Sequence, residues 1–247
     1  MTGEGLFLLE ACEEWQSRLG DTAKEGMMDI LAISGSPKKG GSQATLVAET
    51  IRGAVESGAT VEEIRLADQR IGYCRFCLVC ARDLEAPIGP CSQKDDMAQI
   101  LEKISQADGL ILSCPASSGQ TSALMKTFEE RCVYTLGRPT RRILWVKGCP
   151  ASRLGSRQRF TVILTTAGVV PTWSRVFCSG STAQMASLAR GIFHAKVVRT
   201  LFVGPLWQRG LTQNERIRAY ALGQKLATAI KRHEKERYRR ASKAGQC

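Results

Sequence analysis

The 247-residue sequence contains no apolar run approaching the roughly 18–20 residues that a bilayer-spanning helix needs. A transmembrane segment is thereby excluded. The opening MTGEGLFLLEACEEW has only a short apolar patch, and acidic residues follow at once, so it does not read as a secretory signal. Histidine is nearly absent: His194 stands ahead of the last strand and His233 in the charged tail, and neither takes a role. There is no Walker A motif, no GxGxxG fingerprint, no internal repeat and no low-complexity linker. What remains is a cytoplasmic globular protein, long enough for one α/β domain with insertions. In that compartment thiols stay reduced, and clustered cysteines bind metal or do redox chemistry more often than they form disulfides.

Negative charge is missing from one long stretch. Between Arg131 and Arg159 there are eight basic residues and no acidic one, and the segment 231–243 adds seven basic residues against two acidic. Together they account for the net charge of +12, the rest being close to neutral. Two readings stand: solvated surface, or a site for an acidic partner such as a nucleotide phosphate or an acidic electron carrier. Aromatics are not interleaved with the basic residues, which argues against a single-strand nucleic-acid platform.

Along the chain, apolar strands alternate with helical patterns. Strands are expected at 29–34, 60–66, 109–114, 160–166 and 196–203. Helices are expected at 42–57, 95–106, 122–134 and 212–237, the second opened by acidic residues that suit the helix dipole. Five strands separated by helices imply a parallel sheet covered on both faces. Residues 1–26 form an N-terminal extension with one amphipathic helical pattern, Leu6, Leu9, Cys12, Trp15 and Leu19; the coding of Lys24-Glu25-Gly26 leaves Met27 or Met28 as an alternative translation start. The main domain is expected over 27–230, with a cysteine loop at 73–91, a basic insertion at 138–158 and a basic tail at 231–247. The insertion holds the apolar tetrad Ile143–Val146, which suits a short strand or hairpin.

Two loops carry chemistry. The first strand runs into SGSPKKGGSQATL and directly into a helix, gathering backbone N–H groups, the Ser36 and Ser42 hydroxyls and the helix dipole around one anion, with Lys38 or Lys39 adding charge. The second is YCRFCLVCARDLEAPIGPC, where Cys74, Cys77 and Cys80 recur every third residue and ten residues intervene before Cys91. A C-x2-C-x2-C run with a fourth cysteine is the spacing that wraps a cubane, whereas zinc sites usually pair two separated knuckles. Three states stay open for this loop: a [4Fe–4S] cluster, free or redox-active thiols, and zinc. Cys12, Cys114, Cys132, Cys149, Cys178 and Cys247 are scattered and read as ordinary buried or tail thiols.

ISGSPKKGGSQATL is similar to the phosphate loop of the NAD(P)H-dependent FMN reductases and their iron–sulfur flavoprotein relatives. The likeness continues through the cysteine run, the DDM after it, ADGLILSCP and SALMKTFEER, resumes at TTAG, and covers most of 28–230. It implies a three-layer flavodoxin-like fold, a doubly wound parallel sheet of five strands in the order 2-1-3-4-5. It also implies bound FMN. Ser36, Lys38, Ser42, Gln43 and Ala44 match the positions on the FMN phosphate, with Lys38 where the family often has arginine. Pro115, Ala116, Ser117, Ser118 and Gly119 match the loop beside the isoalloxazine, the run to Gln120 supplying backbone donors, but this chain lacks the aromatic usual there. Thr166, Ala167 and Gly168 match a third ring-contacting loop, where small residues let backbone approach a flat ring. Cys74, Cys77, Cys80 and Cys91 match the cluster ligands of the iron–sulfur relatives, whose last gap is generally shorter.

The resemblance implies an FMN-dependent oxidoreductase of the NAD(P)H:FMN reductase type, passing electrons to a flavin, quinone or small acceptor. No side-chain acid or base is needed, because the flavin carries the chemistry. NAD(P)H would stack on the exposed flavin face, and Arg138, Arg141 and Arg142 would suit its phosphate or an acidic ferredoxin. The alternative is an electron carrier taking electrons from ferredoxin through a cluster. A homodimer or homotetramer is expected, with no membrane and no nucleic-acid partner.

Overall fold

The structure is a computed structural model describing residues 28–139, 151–155, 157–173 and 179–244. Strand β1 (Met28–Ser34) is apolar and almost wholly buried, as a central parallel strand must be. Helix α1 (Ser42–Val55) leads to β2 (Ala59–Arg65), whose alternating exposure marks it as an edge strand. After the cysteine loop come α2 (Met97–Gln106), β3 (Gly109–Pro115) and α3 (Ala123–Val133). A two-residue ribbon, β4 (Gly137–Arg138) with β5 (Ala151–Ser152), precedes β6 (Arg159–Thr166). The chain ends with α4 (Gly180–Gly191), β7 (Ala195–Val203), a single helical turn α5 (Leu206–Arg209) and the long α6 (Gln213–Ala244).

All main-sheet pairings are parallel, in the order β2-β1-β3-β6-β7. With the small ribbon set aside, this is the expected 2-1-3-4-5 order. The period of two along each strand decides the layers. Leu31 and Ile33 of β1, with Leu110, Leu112 and Cys114 of β3, face a core closed by α2, α3 and α4. Ile30 and Ala32, with Ile111, face the opposite core under α1 and α6. Each fully buried Leu, Ile or Phe contributes about 1.5–3 kcal/mol here. On the second face, α1 and α6 cross at Gly53 and Gly223: a Cβ on Gly223 would lie 1.9 Å from the Thr50 carbonyl oxygen. Only glycine permits that approach.

Several details depart from expectation. Asp95 and Asp96 lie before α2 instead of in its first turn, for they accept the N–H groups of Gly72 and Arg70, just ahead of the cysteine loop. Helix α4 has no counterpart in the expected elements, since small residues dominate it. At the insertion a short antiparallel ribbon does form, but Ile143–Val146, Arg141 and Arg142 lie outside the described residues, as do the N-terminal pattern and Cys12, Cys149, Cys178 and Cys247. Helix α6 extends beyond Arg237 into the charged tail. No described helix is long and apolar enough to cross a membrane.

Candidate functional site

The loops after β1, β3 and β6 meet at the carboxyl edge of the sheet and are hydrogen-bonded to one another. Gly35 N–H donates to Ser113 O at 2.8 Å, and Ser122 Oγ donates to Gly35 O at 2.7 Å. Gln43, buried in the first turn of α1, donates to Ser113 Oγ at 2.6 Å and accepts from Thr166 Oγ1 at 2.5 Å. Ala116 N–H donates to Thr166 O at 2.7 Å. The Gln43 amide is thus a tie that locks the three loops together, so what it offers an anion is its backbone N–H. This is the switch-point crevice where open α/β sheets bind ligands.

The start of α1 suits a phosphate. Gly41 occupies the N-cap at φ 95°, no side chain caps the helix, and its first turn holds no acidic residue. The first-turn N–H groups of Ser42, Gln43 and Ala44 are left for an anion, together with the helix dipole. Ser36 is buried beneath, its hydroxyl accepting from Lys38 N–H at 3.3 Å. The two candidate lysines separate: Lys39 pairs with Asp68 at 3.6 Å, whereas the Lys38 side chain has no partner among the described residues. Lys38 is the free charge.

The expected ring loop is a tight turn. Ser117 and Gln120 exchange backbone hydrogen bonds of 2.9 Å each, around Ser118 at φ 49° and Gly119 at φ 78°. Positive φ at both central residues is the type I′ geometry. It narrows the donor supply expected from Pro115 to Gln120. Proline has no N–H, Ala116 serves Thr166, and Ser117 and Gln120 serve each other. Only the N–H groups of Ser118 and Gly119 are without a partner among the described residues. Ser181 N–H, from the first turn of α4, fixes Gly119 O at 3.0 Å. Beside the turn, Ala167 N–H is taken by Val203 O, and the Trp207 indole lies against Gly168, where an added Cβ would be 2.8 Å from the ring. Trp173 and Trp207 are 75% and 81% exposed. Trp207 belongs to the single turn α5, packed on the loop after β6.

Cys74, Cys77, Cys80 and Cys91 all line one small cavity, which Arg131 and Tyr134 also line. Phe76 and Leu78 adopt φ of 53° and 57°, left-handed turns on either side of Cys77. Burial and the neighbouring Cys91, Cys74 and Cys77 sulfurs push the Cys80 thiol up, while the Ser92 hydroxyl pulls the exposed Cys77 thiol down. Among the described residues no three His, Cys, Asp or Glu side chains converge closely enough for a single metal ion. Tetrahedral zinc would require sulfurs about 3.8 Å apart; a cluster distributes its cysteines over several irons. The donor set of four thiols around one cavity fits the cluster better than the ion. The insert Arg82–Pro90 does loop out as its Pro and Gly content suggests, with Gly89 pressed onto the Cys80 carbonyl at a distance no side chain would allow.

The sequence model of the NADPH-dependent FMN reductases matches residues 28–159, more than half the chain. The chain belongs to that family. Among curated proteins it is similar to iron–sulfur flavoproteins. One from Methanocaldococcus jannaschii is 36% identical over 104 residues, 42% of this chain and 51% of the relative. One from Methanosarcina thermophila is 32% identical over 106 residues, 43% and 53%. The match spans about half the length of these relatives. Among solved structures, the NAD(P)H:quinone oxidoreductase from Methanothermobacter marburgensis superimposes with a TM-score of 0.61 at 19% identity, over 80% of this chain and 98% of that one. A flavone reductase gives 0.61 at 23%, over 84% and 64%. At such identities the likeness concerns the fold, which is flavodoxin-like.

Within this FMN reductase-family chain, four arginines of the basic stretch are tied into the structure. Arg153 donates to the carbonyls of Cys80, Asp83, Ala86 and Gly137 at 2.8–3.0 Å, clamping the cysteine loop. Arg159 is 2% exposed, caps the end of α2 through Ile104 O and Ser105 O, and is lowered to about 10, chiefly by burial. Arg157 pairs with Asp108, and Arg131 with Asp95. Of the three arginines expected to meet an acidic partner, Arg138 alone is described, and it is exposed. Nothing in a local pattern separates these arginines, because their partners lie far away in sequence.

One buried acid also escaped the pattern. Glu129 on α3 is 6% exposed, its Oε1 has no partner among the described residues, and burial pushes its carboxyl up to about 7 despite Lys126 at 3.9 Å and the Thr121 hydroxyl; Glu130 adds a small push. Its folded pKa exceeds its unfolded one, so the native state holds a proton that the unfolded state has lost between about pH 4.5 and 7. Stability from this group is therefore present at low pH and lost as pH rises. Glu129→Gln is expected to be more stable than wild type at pH 8 by roughly 3 kcal/mol and about equal at pH 4.5, in urea titrations. A difference that does not change with pH would contradict this.

Proposed function

We propose that this chain is an FMN-dependent oxidoreductase that also holds a [4Fe–4S] cluster on Cys74, Cys77, Cys80 and Cys91. The observation that carries the flavin half is the uncapped, acid-free start of α1 within three mutually bonded loops. There Ser36, Lys38 and the N–H groups of Ser42, Gln43 and Ala44 would hold the FMN phosphate. The N–H groups of Ser118 and Gly119 would face the ring, with Thr166, Ala167 and Gly168 beside it, Pro115 to Ser117 serving as scaffold. When bound, the flavin supplies hydride and single-electron chemistry. The residues present would bind and orient it, and the 115–119 turn contributes no aromatic to stack on the ring. The cavity shared by four cysteines, and the iron–sulfur names of the curated relatives, support the cluster.

Electrons would enter from NAD(P)H or from a ferredoxin and leave to a flavin, quinone or small acceptor, in a cytoplasmic homo-oligomer. Protein purified anaerobically is expected to show flavin bands over a broad iron–sulfur background, with matching iron and sulfide. Bleaching by NADPH favours the reductase, and bleaching only by reduced ferredoxin favours an electron carrier. Protein that takes up neither FMN nor iron on reconstitution would refute the reading.

A further inference from the structure

The Arg131 guanidinium occupies an unusual position for a charged group. Its side chain is 2% exposed, it lies on α3 at the wall of the four-cysteine cavity, and its Nη2 donates to Cys91 Sγ at 3.4 Å. The orientation is imposed. Nη1 and Nη2 grip both Asp95 oxygens at 2.6 and 2.9 Å in a forked pair, and Nη1 also donates to Gly72 O at 2.8 Å. Asp95 in turn accepts Gly72 N–H at 3.0 Å and Met97 N–H at 3.2 Å. Burial works against its charge, yet the Arg131 fork and the Gly72 N–H hold the Asp95 carboxyl below the usual range. One ion pair therefore closes the cysteine loop at both ends, Gly72 before Cys74 and Asp95 after Cys91. Its remaining donor, Arg131 Nε, is buried without a partner among the described residues.

A buried ion pair is weak evidence for stability, because desolvation offsets much of the attraction. Closing the loop would not require a cation in contact with a cysteine sulfur. A centre ligated by four thiolates is anionic, and it becomes more so when reduced. In a low-dielectric wall, a fixed positive charge favours the more negative form.

We propose that Arg131 is a positioning and charge-compensating residue for the four-cysteine centre, raising the potential at which that centre is reduced. Asp95 is the group that aims it. The proposal rests on the cluster reading above. It predicts that charge at position 131 matters more than hydrogen-bond geometry, although lysine is no substitute for the fork.

The test uses the full chain, reconstituted anaerobically with iron and sulfide, in wild type, Arg131→Lys, Arg131→Gln and the double variant Arg131→Gln/Asp95→Asn. The double variant removes the carboxylate that the single one would leave unpaired, so it replaces Arg131→Gln if that variant fails to fold. Iron and sulfide per chain and the midpoint potential of the centre, followed by electron paramagnetic resonance, are the readouts. Arg131→Gln is expected to shift the reduction equilibrium toward the oxidised form at least tenfold, about 59 mV for one electron, and the double variant, which removes a charge of each sign with the positive one nearer Cys91, to shift it the same way by less. Arg131→Lys should stay within threefold of wild type. Equal potentials in wild type and the loaded neutral variants would overturn the proposal while leaving the cluster in place. Wild-type protein that takes up no iron would instead refute the cluster reading itself.

Discussion

Replacing Cys91 by serine is expected to abolish iron loading while leaving flavin binding intact. Wild-type chain should take up about four iron and four sulfide, as one cubane requires. Serine offers a hard, protonated oxygen in place of a soft thiolate, so the fourth corner is left unligated. Iron should fall to a quarter or less of the wild-type value. Cys91 is the informative position because ten residues separate it from Cys80, so spacing alone leaves its membership open. The structure brings it to the same cavity as the other three, with the Arg153 clamp holding the intervening insert away. Retained FMN quenching would show that the fold survives. A Cys91→Ser chain that keeps its full iron content would remove Cys91 from the site.

Placing an acid at the start of α1 should weaken FMN binding about 100-fold. At an effective dielectric constant near 20, a carboxylate roughly 5 Å from one phosphate charge costs about 3 kcal/mol, and tenfold in affinity corresponds to about 1.4. The first turn contains no acid and no side-chain cap, so Ser42→Asp introduces repulsion where none exists. Without ligand the same carboxylate stabilises the helix by about 0.3–1 kcal/mol. Apo thermal stability should therefore hold or rise while FMN affinity, read by fluorescence titration, collapses. Riboflavin, which lacks the phosphate, should bind the variant and the wild type alike. If riboflavin weakens as much as FMN, the phosphate is not at this helix.

Local pattern carried much of this protein. The strands were legible because parallel strands buried on both faces read as apolar runs: ILAIS and LILSC need no partner to identify them. The phosphate loop was legible because its glycines, hydroxyls and lysine fall together before a helix. The cysteine run showed itself by spacing. Helix α4 stayed hidden because Gly180, Ser181, Ala183, Ala186 and Ala189 make a weak amphipathic pattern; only packing against β6 and β7 shows that small residues are what that position accepts.

The basic stretch marks the limit most clearly. Arg131, Arg138, Arg153, Arg157 and Arg159 are one residue type in one acid-free run, and composition treats them as a single patch of charge. Folding separates them: Arg138 is exposed, Arg153 grips carbonyls up to 73 residues away, and Arg131 reaches Cys91 across 40. By itself the sequence determined the alternation of strands and helices, the anion loop and a run of three cysteines. Tertiary structure decided which lysine is free, which backbone donors remain, and which arginine faces the thiols. The reason is physical: propensity and periodicity act within a few residues, whereas burial, ion pairing and donor supply depend on what the fold places opposite.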